Sequence, residues 1–430
     1  MINIEKLNIN TKDLYLKSLK ERSETVQDSV ILAVDEILEQ VKSIGDEAVI
    51  KYTNKFDSDK INKDNIKVSE EEISNAYELV DKKFIKALKL AKSNIEFFHE
   101  KQKQNSWMTN KDKGVILGQK VVPLEKVGIY VPGGTASYPS SVLMNTIPAK
   151  VAGVEKIIMV TPPSKDGTIN PNILVAAHIS QVDEIYKVGG AQAVAALAYG
   201  TESIPKVDKI AGPGNIYVAM AKKSVYGNVD IDMIAGPSEI LILADETADA
   251  KFIAADLMSQ AEHDVLASSI LITTSMEIAK KVDEELERQI QYLSRKDIIA
   301  QSLKDYGAII VVEDMKTAIE MSNELAPEHL EVMVKDPFLY LGNIKNAGSI
   351  FLGKYAPEPL GDYAAGPNHV LPTNGTAKFY SPLSVDDYIK KSSYIYYTDE
   401  ALKEIKDDIV VLAETEGLTA HANSIKVRYE

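Results

Sequence analysis

Apolar residues recur every three or four positions through the first quarter of the chain. This spacing gathers them on one face of a helix, so we predict that residues 1 to about 105 are mainly helical. The pattern is clearest in the two segments SVILAVDEILEQVKSIGDEAVIKYTNKF and EEISNAYELVDKKFIKALKLAKSNIEFFHEKQ. His99 lies near the end of the second segment, beside Phe97 and Phe98, and we interpret it as structural.

From about residue 120 the pattern changes to short apolar runs that alternate with helical segments. The predicted strands are KVGIYV, EKIIMVTPP, EIYKVGG, DKIAGPG, EILILADET, SSILITTS and AIIVVED. Helices such as NILVAAHISQV and AQAVAALAYG lie between them. This alternation favours parallel sheets, and the continuous apolar runs are typical of strands covered on both faces. The strands are too many for one sheet of ordinary size, so we expect an α/β protein with two domains.

Composition narrows the class of protein. The 430 residues are 45% hydrophobic and 26% charged, which is ordinary for a globular protein. No run approaches ~18 apolar residues, and the N-terminus lacks a basic segment followed by an apolar one, so we expect neither a membrane span nor a signal peptide. Cysteine is absent, which is compatible with the cytoplasm, and the net charge of −15 disfavours nucleic acid as a partner.

The segment DLMSQAEHD suggests a metal site at the edge of an apolar core. Gln260 and His263 are three residues apart on a predicted helix and therefore share a face. Asp256 lies one turn earlier, where it would support such a site from behind or be an exposed helix residue. A solvated helix end explains the same pattern, and this segment alone does not decide between the two.

Further candidates for acid–base or metal chemistry lie towards the C-terminus. Glu328 and His329 are adjacent after Pro327, where they form either a pair of bases or a solvated dipeptide. The segment APEPLGDYAAGPNHVLPTNGTAKF predicts a long loop that contains Asp362 and His369. The tail, with Glu416 and His421, predicts a small helical or mixed segment. Histidine, aspartate and glutamine ligands without cysteine suit Zn²⁺ or Mn²⁺.

Glycine-rich turns follow several predicted strands, in YVPGGTASYP, VGGAQA, AGPGN and AGPSE. We expect ligands at such turns, because open α/β sheets bind them at the carboxyl ends of parallel strands. Gly212 and Gly214 have the spacing of a dinucleotide fingerprint, but Tyr217 occupies the position of its third glycine. These turns therefore favour a nucleotide site without identifying NAD.

The run IDMIAGPSEILILADETADAKFIAADLMSQAEHD, residues 231–264, resembles the signature of the histidinol dehydrogenase family. The segments GIYVPGG, GGAQA, AGPGN, NELAPEHLE, PLGDYAAGPNHVLPT and EGLTAHANSI resemble the same family in the expected order. The resemblance covers nearly the whole chain. It implies a zinc- and NAD-dependent enzyme that oxidises L-histidinol to L-histidine with two NAD, through a bound L-histidinaldehyde, in the last steps of histidine biosynthesis.

The resemblance also implies roles for individual residues. The implied zinc ligands are Gln260, His263, Asp362 and His421, one ion per site. The implied catalytic pair is Glu328 and His329. The implied substrate contacts are Ser238, Gln260, His263, His329, Asp362, His369, Glu416 and His421. The implied NAD contacts are Tyr130, Gln192 and Asn215.

The same resemblance implies a fold of two incomplete Rossmann-like domains with parallel sheets and small terminal segments, assembled as a homodimer with shared active sites. Residues 1–26 would form an N-terminal arm. Residues 27–129 and 238–381 would form the domain with the metal and catalytic residues. Residues 130–237 would form the NAD-contacting domain. Residues 382–430 would form a dimerisation tail.

Three other functions remain open on the sequence. The same ligands with Glu328 as a base would also suit a zinc hydrolase. A metal or nucleotide binder without turnover would need the same residues. A related dehydrogenase for another alcohol is disfavoured by Ser238 and Glu416, because both match the histidinol pattern. Formation of NADH from histidinol would separate these possibilities.

Overall fold

The computed structural model of the chain describes residues 4–6, 28–133 and 138–430. Most of the expected N-terminal arm and the centre of the YVPGGTASYP turn lie outside the described residues. The strands are β1 Ile4–Lys6, β2 Trp107–Asn110, β3 Ile116–Pro123, β4 Lys126–Tyr130, β5 Lys156–Thr161, β6 Glu184–Lys187, β7 Lys209–Ala211, β8 Asp230–Ile231, β9 Glu239–Ala244, β10 Ser268–Thr273, β11 Gly307–Val311, β12 His329–Met333, β13 Ser349–Leu352 and β14 Ile389–Tyr396.

The α-helices of the first 200 residues are α1 Asp28–Ile44, α2 Asp46–Phe56, α3 Glu70–Leu79, α4 Lys82–His99, α5 Pro139–Ala152, α6 Pro171–Ser180 and α7 Gly190–Tyr199. The later ones are α8 Ile216–Val225, α9 Ala250–Ala261, α10 Met276–Gln289, α11 Lys296–Tyr306, α12 Met315–Leu325, α13 Phe338–Leu341, α14 Glu358–Tyr363, α15 Asp399–Thr415 and α16 Thr419–Lys426. Among the described residues, no helix combines the length and apolar character that crossing a bilayer requires.

Two parallel sheets form the α/β body, as predicted. One has five strands in the order β6-β5-β4-β7-β8, and the other has six in the order β1-β11-β10-β9-β12-β13. In each, the chain lays three successive strands to one side and then returns to add two on the other, which is the Rossmann-like arrangement. The expected fold of two Rossmann-like domains is confirmed.

Both faces of each sheet are covered, which explains the continuous apolar strands. On β9, Ile240 and Ile242 pack into the core on one face, while Leu241 and Leu243 pack into the core on the other. Alternate residues of β5 divide between two cores in the same way. Period-two alternation of polar and apolar residues therefore cannot appear in these strands.

Three of the predicted local structures were wrong in detail: the two long N-terminal helices and the long loop after residue 355. Each long N-terminal helix is broken into two: Gly45 has φ +53°, a left-handed conformation that separates α1 from α2, and Asp81 caps the start of α4 with its side chain. Residues 1–105 also contain a strand, β1. The expected long loop after residue 355 contains the helix α14, because prolines are tolerated in the first turn of a helix.

The contacts divide the chain into two units. The first comprises residues 1–102 and 124–388 and contains both parallel sheets. The second comprises residues 103–123 and 389–430. It contains an antiparallel sheet in the order β14-β3-β2 together with α15 and α16. The tail is therefore a mixed segment, as predicted, while the expected domain boundaries stay a prediction.

Candidate active site

The strand order of the five-stranded sheet reverses between β4 and β7, which is where open α/β sheets bind ligands. Tyr130 ends β4, and its hydroxyl oxygen accepts a hydrogen bond from the backbone N–H of Gly190 at 3.0 Å. Gly212 follows β7 with φ +112°, and a Cβ there would collide with the carbonyl oxygen of Tyr130. The side-chain amide of Gln192 is buried and has no hydrogen-bond partner in the described part of the chain. Asn215 caps the start of α8. The reversal of strand order and the glycine turns beside it are features that dinucleotide-binding sheets share.

The second group of candidate site residues lies at the amino ends of strands in the six-stranded sheet, and not at the carboxyl ends that the glycine-rich turns suggested. Ser238 directly precedes β9, and His329 begins β12 beside it, paired with Ile240. The backbone N–H of Glu239 donates to Oε2 of Glu328 at 2.8 Å. The turn before β9 therefore holds Glu328 in place.

One ring nitrogen of His329 is hydrogen-bonded to the backbone, and the other faces Asp362 and Glu358. Nδ1 lies 2.9 Å from the carbonyl oxygen of Glu239, which can only accept, so Nδ1 carries the proton. Nε2 then carries the lone pair, and it has no hydrogen-bond partner among the residues that the structure describes. Burial lowers the pKa of His329 to about 4. His329 is therefore neutral near pH 7 and able to accept a proton at Nε2.

Burial acts in the opposite direction on Glu328. The carboxyl group is buried beside three other acidic groups, and burial raises its pKa well above the ordinary value. In its ionised form the carboxylate of Glu328 is a proton acceptor. Glu328 and His329 together thus provide two proton acceptors side by side.

Next to this pair lies a cluster that could hold a metal ion. Ligand atoms of His263, Glu358 and Asp362 all lie within 4.8 Å of one another. His329 Nε2 is 3.9 Å from Oδ1 of Asp362 and 3.9 Å from Oε1 of Glu358. Gln260, one turn before His263, is 1% exposed, and its Oε1 has no partner in the described ranges. Carboxylates and an imidazole, together with a buried amide oxygen three residues before that imidazole in the chain, are the ligand types that suit Zn²⁺ or Mn²⁺.

Burial also raises the pKa values of the clustered acids, to about 6 for Asp362 and about 8 for Glu358. Behind them, it raises the pKa of Asp256 to about 7 and that of Glu331 well above its ordinary value. The four carboxyl groups are near enough to influence one another. A divalent cation would favour their ionised forms.

The local sequence explains how these side chains are presented. Helix α9 begins at the side-chain cap of Asp249 and packs an apolar face, including Leu257, into the core between β9 and β10. Its last turn presents Gln260, and the chain leaves the helix at Glu262, so that His263 lies just beyond the end. The sequence predicted that both residues lie on one face of the helix, but His263 lies outside the helix, where it joins the cluster of Glu358 and Asp362.

His369 connects the cluster with the helix that follows β4. Its Nδ1 lies 3.1 Å from the carbonyl oxygen of Asp362, and its Nε2 lies 3.3 Å from the hydroxyl of Ser141 on α5. Burial lowers the pKa of His369 to about 4. The remaining two expected residues belong to the second unit: His421 lies on α16, Glu416 caps the end of α15, and both are exposed.

Sequence reasoning missed Glu358 and Glu331. Glu358 lies four residues before Asp362, the spacing of neighbours on a helix face, but the flanking prolines concealed that helix. Glu331 lies two residues after His329 and therefore on the same face of β12. Its Oε1 accepts the backbone N–H of Glu358 at 2.7 Å, which ties α14 to the strand of His329.

A dinucleotide-type crevice and a buried base beside a metal-type cluster together define an α/β dehydrogenase. The family model for histidinol dehydrogenase matches residues 20–429. The chain belongs to the histidinol dehydrogenase family. It is 64% identical to the histidinol dehydrogenase of Clostridium acetobutylicum, over 97% of this chain and 96% of that protein. It is 59% identical to that of Bacillus cereus, over 96% of each.

A solved structure leads to the same family. The crystal structure of histidinol dehydrogenase from Elizabethkingia anophelis has a TM-score of 0.94 and 41% sequence identity to this chain. The match covers 99% of this chain and 98% of that chain. The resemblance found in the sequence motifs is confirmed.

Proposed function

We propose that the chain is a zinc-dependent enzyme that oxidises L-histidinol to L-histidine in two steps, through bound L-histidinaldehyde and with two NAD. One observation carries the proposal: His329 is neutral, its Nδ1 is held by a backbone carbonyl, and its unpartnered Nε2 faces the cluster of His263, Glu358 and Asp362. A fixed base beside a metal-type cluster is what the oxidation of an alcohol that binds metal requires.

The zinc ligands would be Gln260, His263, Asp362 and His421. The unpartnered Oε1 of Gln260 and the closeness of His263 to Asp362 support the first three. When bound, zinc would act as a Lewis acid that anchors the imidazole and amine of histidinol, and it has no redox chemistry of its own. Ser238, His369 and Glu416 would complete the substrate contacts.

The protein groups would move the protons. In the first oxidation, Nε2 of His329 would accept the proton of the alcohol while a hydride leaves the carbon. Glu328 would then take a proton from the water molecule that adds to the aldehyde, while protonated His329 returns its proton to the aldehyde oxygen, which gives the hydrate and a neutral His329. Nε2 of His329 would next accept a proton from the hydrate while the second hydride leaves the carbon. Each NAD, when bound, would supply the hydride acceptor. Two adjacent proton acceptors suit this sequence of steps.

The NAD contacts would be Tyr130, Gln192 and Asn215. The position of Tyr130 at the reversal of strand order and the unpartnered amide of Gln192 support this assignment. The hydroxyl of Tyr130 already bonds to Gly190, so this residue would shape the crevice as well as line it.

The enzyme reaction is tested by NADH formation from L-histidinol. Each histidinol should yield two NADH with little free aldehyde. A chelator should abolish turnover while the far-ultraviolet circular dichroism stays unchanged, because the zinc ligands border the core without forming it, and Zn²⁺ or Mn²⁺ should restore activity. Full activity of the metal-free chain, or accumulation of aldehyde that a carbonyl reagent traps, would contradict the proposal.

We further propose a homodimer in which Glu416 and His421 serve the site of the partner. The exposed apolar side chains of the second unit support an interface there. Those more than half exposed include Trp107, Met108, Ile395, Val411 and Leu412.

A mixing experiment tests the shared site. His263→Ala and His421→Ala should each be nearly inactive for lack of a ligand. In a mixed dimer, one site carries both changes and the other carries neither, so co-expression should recover substantial activity. No recovery in mixed dimers shown to have formed would mean that His421 serves its own chain.

A further inference from the structure

Glu358 is a buried carboxylate with one oxygen held by the protein and the other left without a partner. It is 1% exposed. Its Oε2 accepts a hydrogen bond from the hydroxyl of Ser259 at 3.2 Å, and its backbone N–H is held by Glu331. Its Oε1 has no hydrogen-bond partner within residues 4–6, 28–133 and 138–430. A bond between the side chains of Glu358 and Asp362 needs a proton on one of the two carboxyl groups. Because two buried carboxylates side by side are costly, a cation from outside the chain is expected beside them when both are ionised.

The unpartnered oxygen faces the metal-type cluster. Glu358 Oε1 is 3.9 Å from Nε2 of His329, and the carboxylate is one of the three groups whose ligand atoms lie within 4.8 Å of one another. The Oε1 of Gln260, three residues before His263 of this cluster, is a second buried oxygen without a hydrogen-bond partner in the described part of the chain. Two ligand atoms bound to one ion at ~2.0–2.2 Å are at most about 4.4 Å apart, so the upper limit of 4.8 Å brings the three groups near the range that one ion spans.

Charge gives an independent reason for a second carboxylate. Gln260, His263 and His421 are neutral as ligands, so Asp362 alone would leave a buried Zn²⁺ with an excess of one positive charge. Buried charge is costly unless it is paired. Glu358 supplies the one further negative charge that makes the centre neutral.

We propose that Glu358 is a residue of the metal centre, with Oε1 directed at the ion, and that Ser259 and Glu331 position it. This inference rests on the proposed zinc site. It adds a carboxylate to that site from the same short helix as Asp362, so that α14 presents two charged groups on one face.

The test is the affinity of the metal-free full-length chain for Zn²⁺, measured by competition with a chromophoric chelator in the absence of substrate and NAD. Glu358→Gln should weaken zinc binding by about 10- to 100-fold, the range expected for groups that support metal ligands. Glu262→Gln is the matched control. It removes the same charge beside His263 but lies outside the cluster, and it should stay within about threefold of the wild type.

The outcomes separate this inference from the proposed function. Zinc binding by the wild type with unchanged affinity in Glu358→Gln would overturn the inference and leave the zinc site intact. Equal weakening by both variants would also overturn it, because the effect would then be general electrostatics. Absence of zinc binding by the wild type would overturn the zinc proposal and this inference with it.

A milder variant keeps the test usable if Glu358→Gln does not fold. Ser259→Ala removes only the hydroxyl that holds Oε2 of Glu358, together with its bond to the carbonyl oxygen of Asp256. It should fold and weaken zinc binding by about three- to tenfold, below the loss for the carboxylate itself. An affinity equal to that of the wild type would, in this case, overturn the inference.

Discussion

A buried ion pair fixes one turn of the proposed NAD crevice. Lys222 and Asp232 are paired with side chains 2% and 1% exposed. Nζ of Lys222 also donates to the carbonyl oxygen of Gly212 at 3.0 Å, and Oδ2 of Asp232 accepts the backbone N–H of the same glycine at 2.8 Å. The pair therefore holds both polar groups of Gly212 and keeps the AGPGN turn against Tyr130.

Lys222→Met should destabilise the chain by about 3–5 kcal/mol, the usual cost of breaking a buried pair by removing one partner. Methionine fills much of the same volume, so the loss comes from the charge and not from a cavity. Asp232 would keep its two backbone donors but lose its counter-charge, and the carbonyl of Gly212 would lose its side-chain donor. Asp232→Asn added to Lys222→Met should recover part of the loss, because it removes the uncompensated charge.

Urea unfolding of the metal-free chain measures the free energy, and Lys223→Met supplies the control. Lys223 is the next residue of α8 and is exposed, so its replacement removes the same charge at a cost of about 0.5 kcal/mol or less. In the folded enzyme, Lys222→Met should raise the KM for NAD, because the turn is released, while Lys223→Met should not.

Two results would refute this reasoning. If Lys222→Met stayed within about 1 kcal/mol of the wild type, the cost of desolvating the pair would cancel its attraction. If the two lysine variants lost equal free energy, the effect would come from net charge and not from the buried contact. In either case the pair would not explain how the turn is held.

Two further predictions follow from the site. Glu328→Gln should retain more of the rate of the first oxidation than His329→Asn does, and its larger loss of rate should fall on the aldehyde-to-acid step, each loss being ~10²–10⁴-fold. Rapid-mixing assays that start from histidinol and from histidinaldehyde measure the two steps separately. Equal losses in both steps by both variants would contradict the division of roles. Between pH 7.5 and 8.5 the buried His329 and His369 are neutral in both the folded and the unfolded state, while burial holds the pKa values of Asp256 and Glu358 at about 7 and 8. The folded metal-free chain then binds more protons than the unfolded one, so its free energy of unfolding should fall between pH 7.5 and 8.5. Urea titrations should show a weaker dependence in Asp256→Asn, and a rise with pH would contradict the assignment.

The sequence predicted those parts of the fold that depend on local pattern. Strands such as β5 and β9 are buried on both faces and therefore form continuous apolar runs. Strand β12, HLEVM, was not predicted because Glu331 interrupts its apolar run. The carboxylate of Glu331 accepts a hydrogen bond from the first residue of α14, which explains a polar residue at this buried position. The three-stranded sheet was also missed. Its β3 and β14 are far apart in sequence, and no local pattern reports such a pairing.

The candidate site was predicted mainly through its family resemblance. Spacing alone left Gln260 and His263 ambiguous, because a solvated helix end has the same residues. The site lies at the amino ends of β9 and β12, where a general rule for open sheets does not direct attention. Glu358 was not found because its role depends on the direction of one oxygen, which the sequence does not encode in any short pattern.

The arrangement of burial explains how one site can keep a base neutral and still attract a cation. Removal from water disfavours every charged form, so it lowers the pKa of His329 and raises the pKa values of Asp362 and Glu358. A divalent cation reverses only the second effect, because it favours ionised carboxylates and disfavours a protonated imidazole nearby. Metal binding and a neutral His329 are therefore compatible at the same pH. Glu358, one of the buried acids that destabilise the metal-free chain near neutral pH, is thus also one of the groups that would bind the ion.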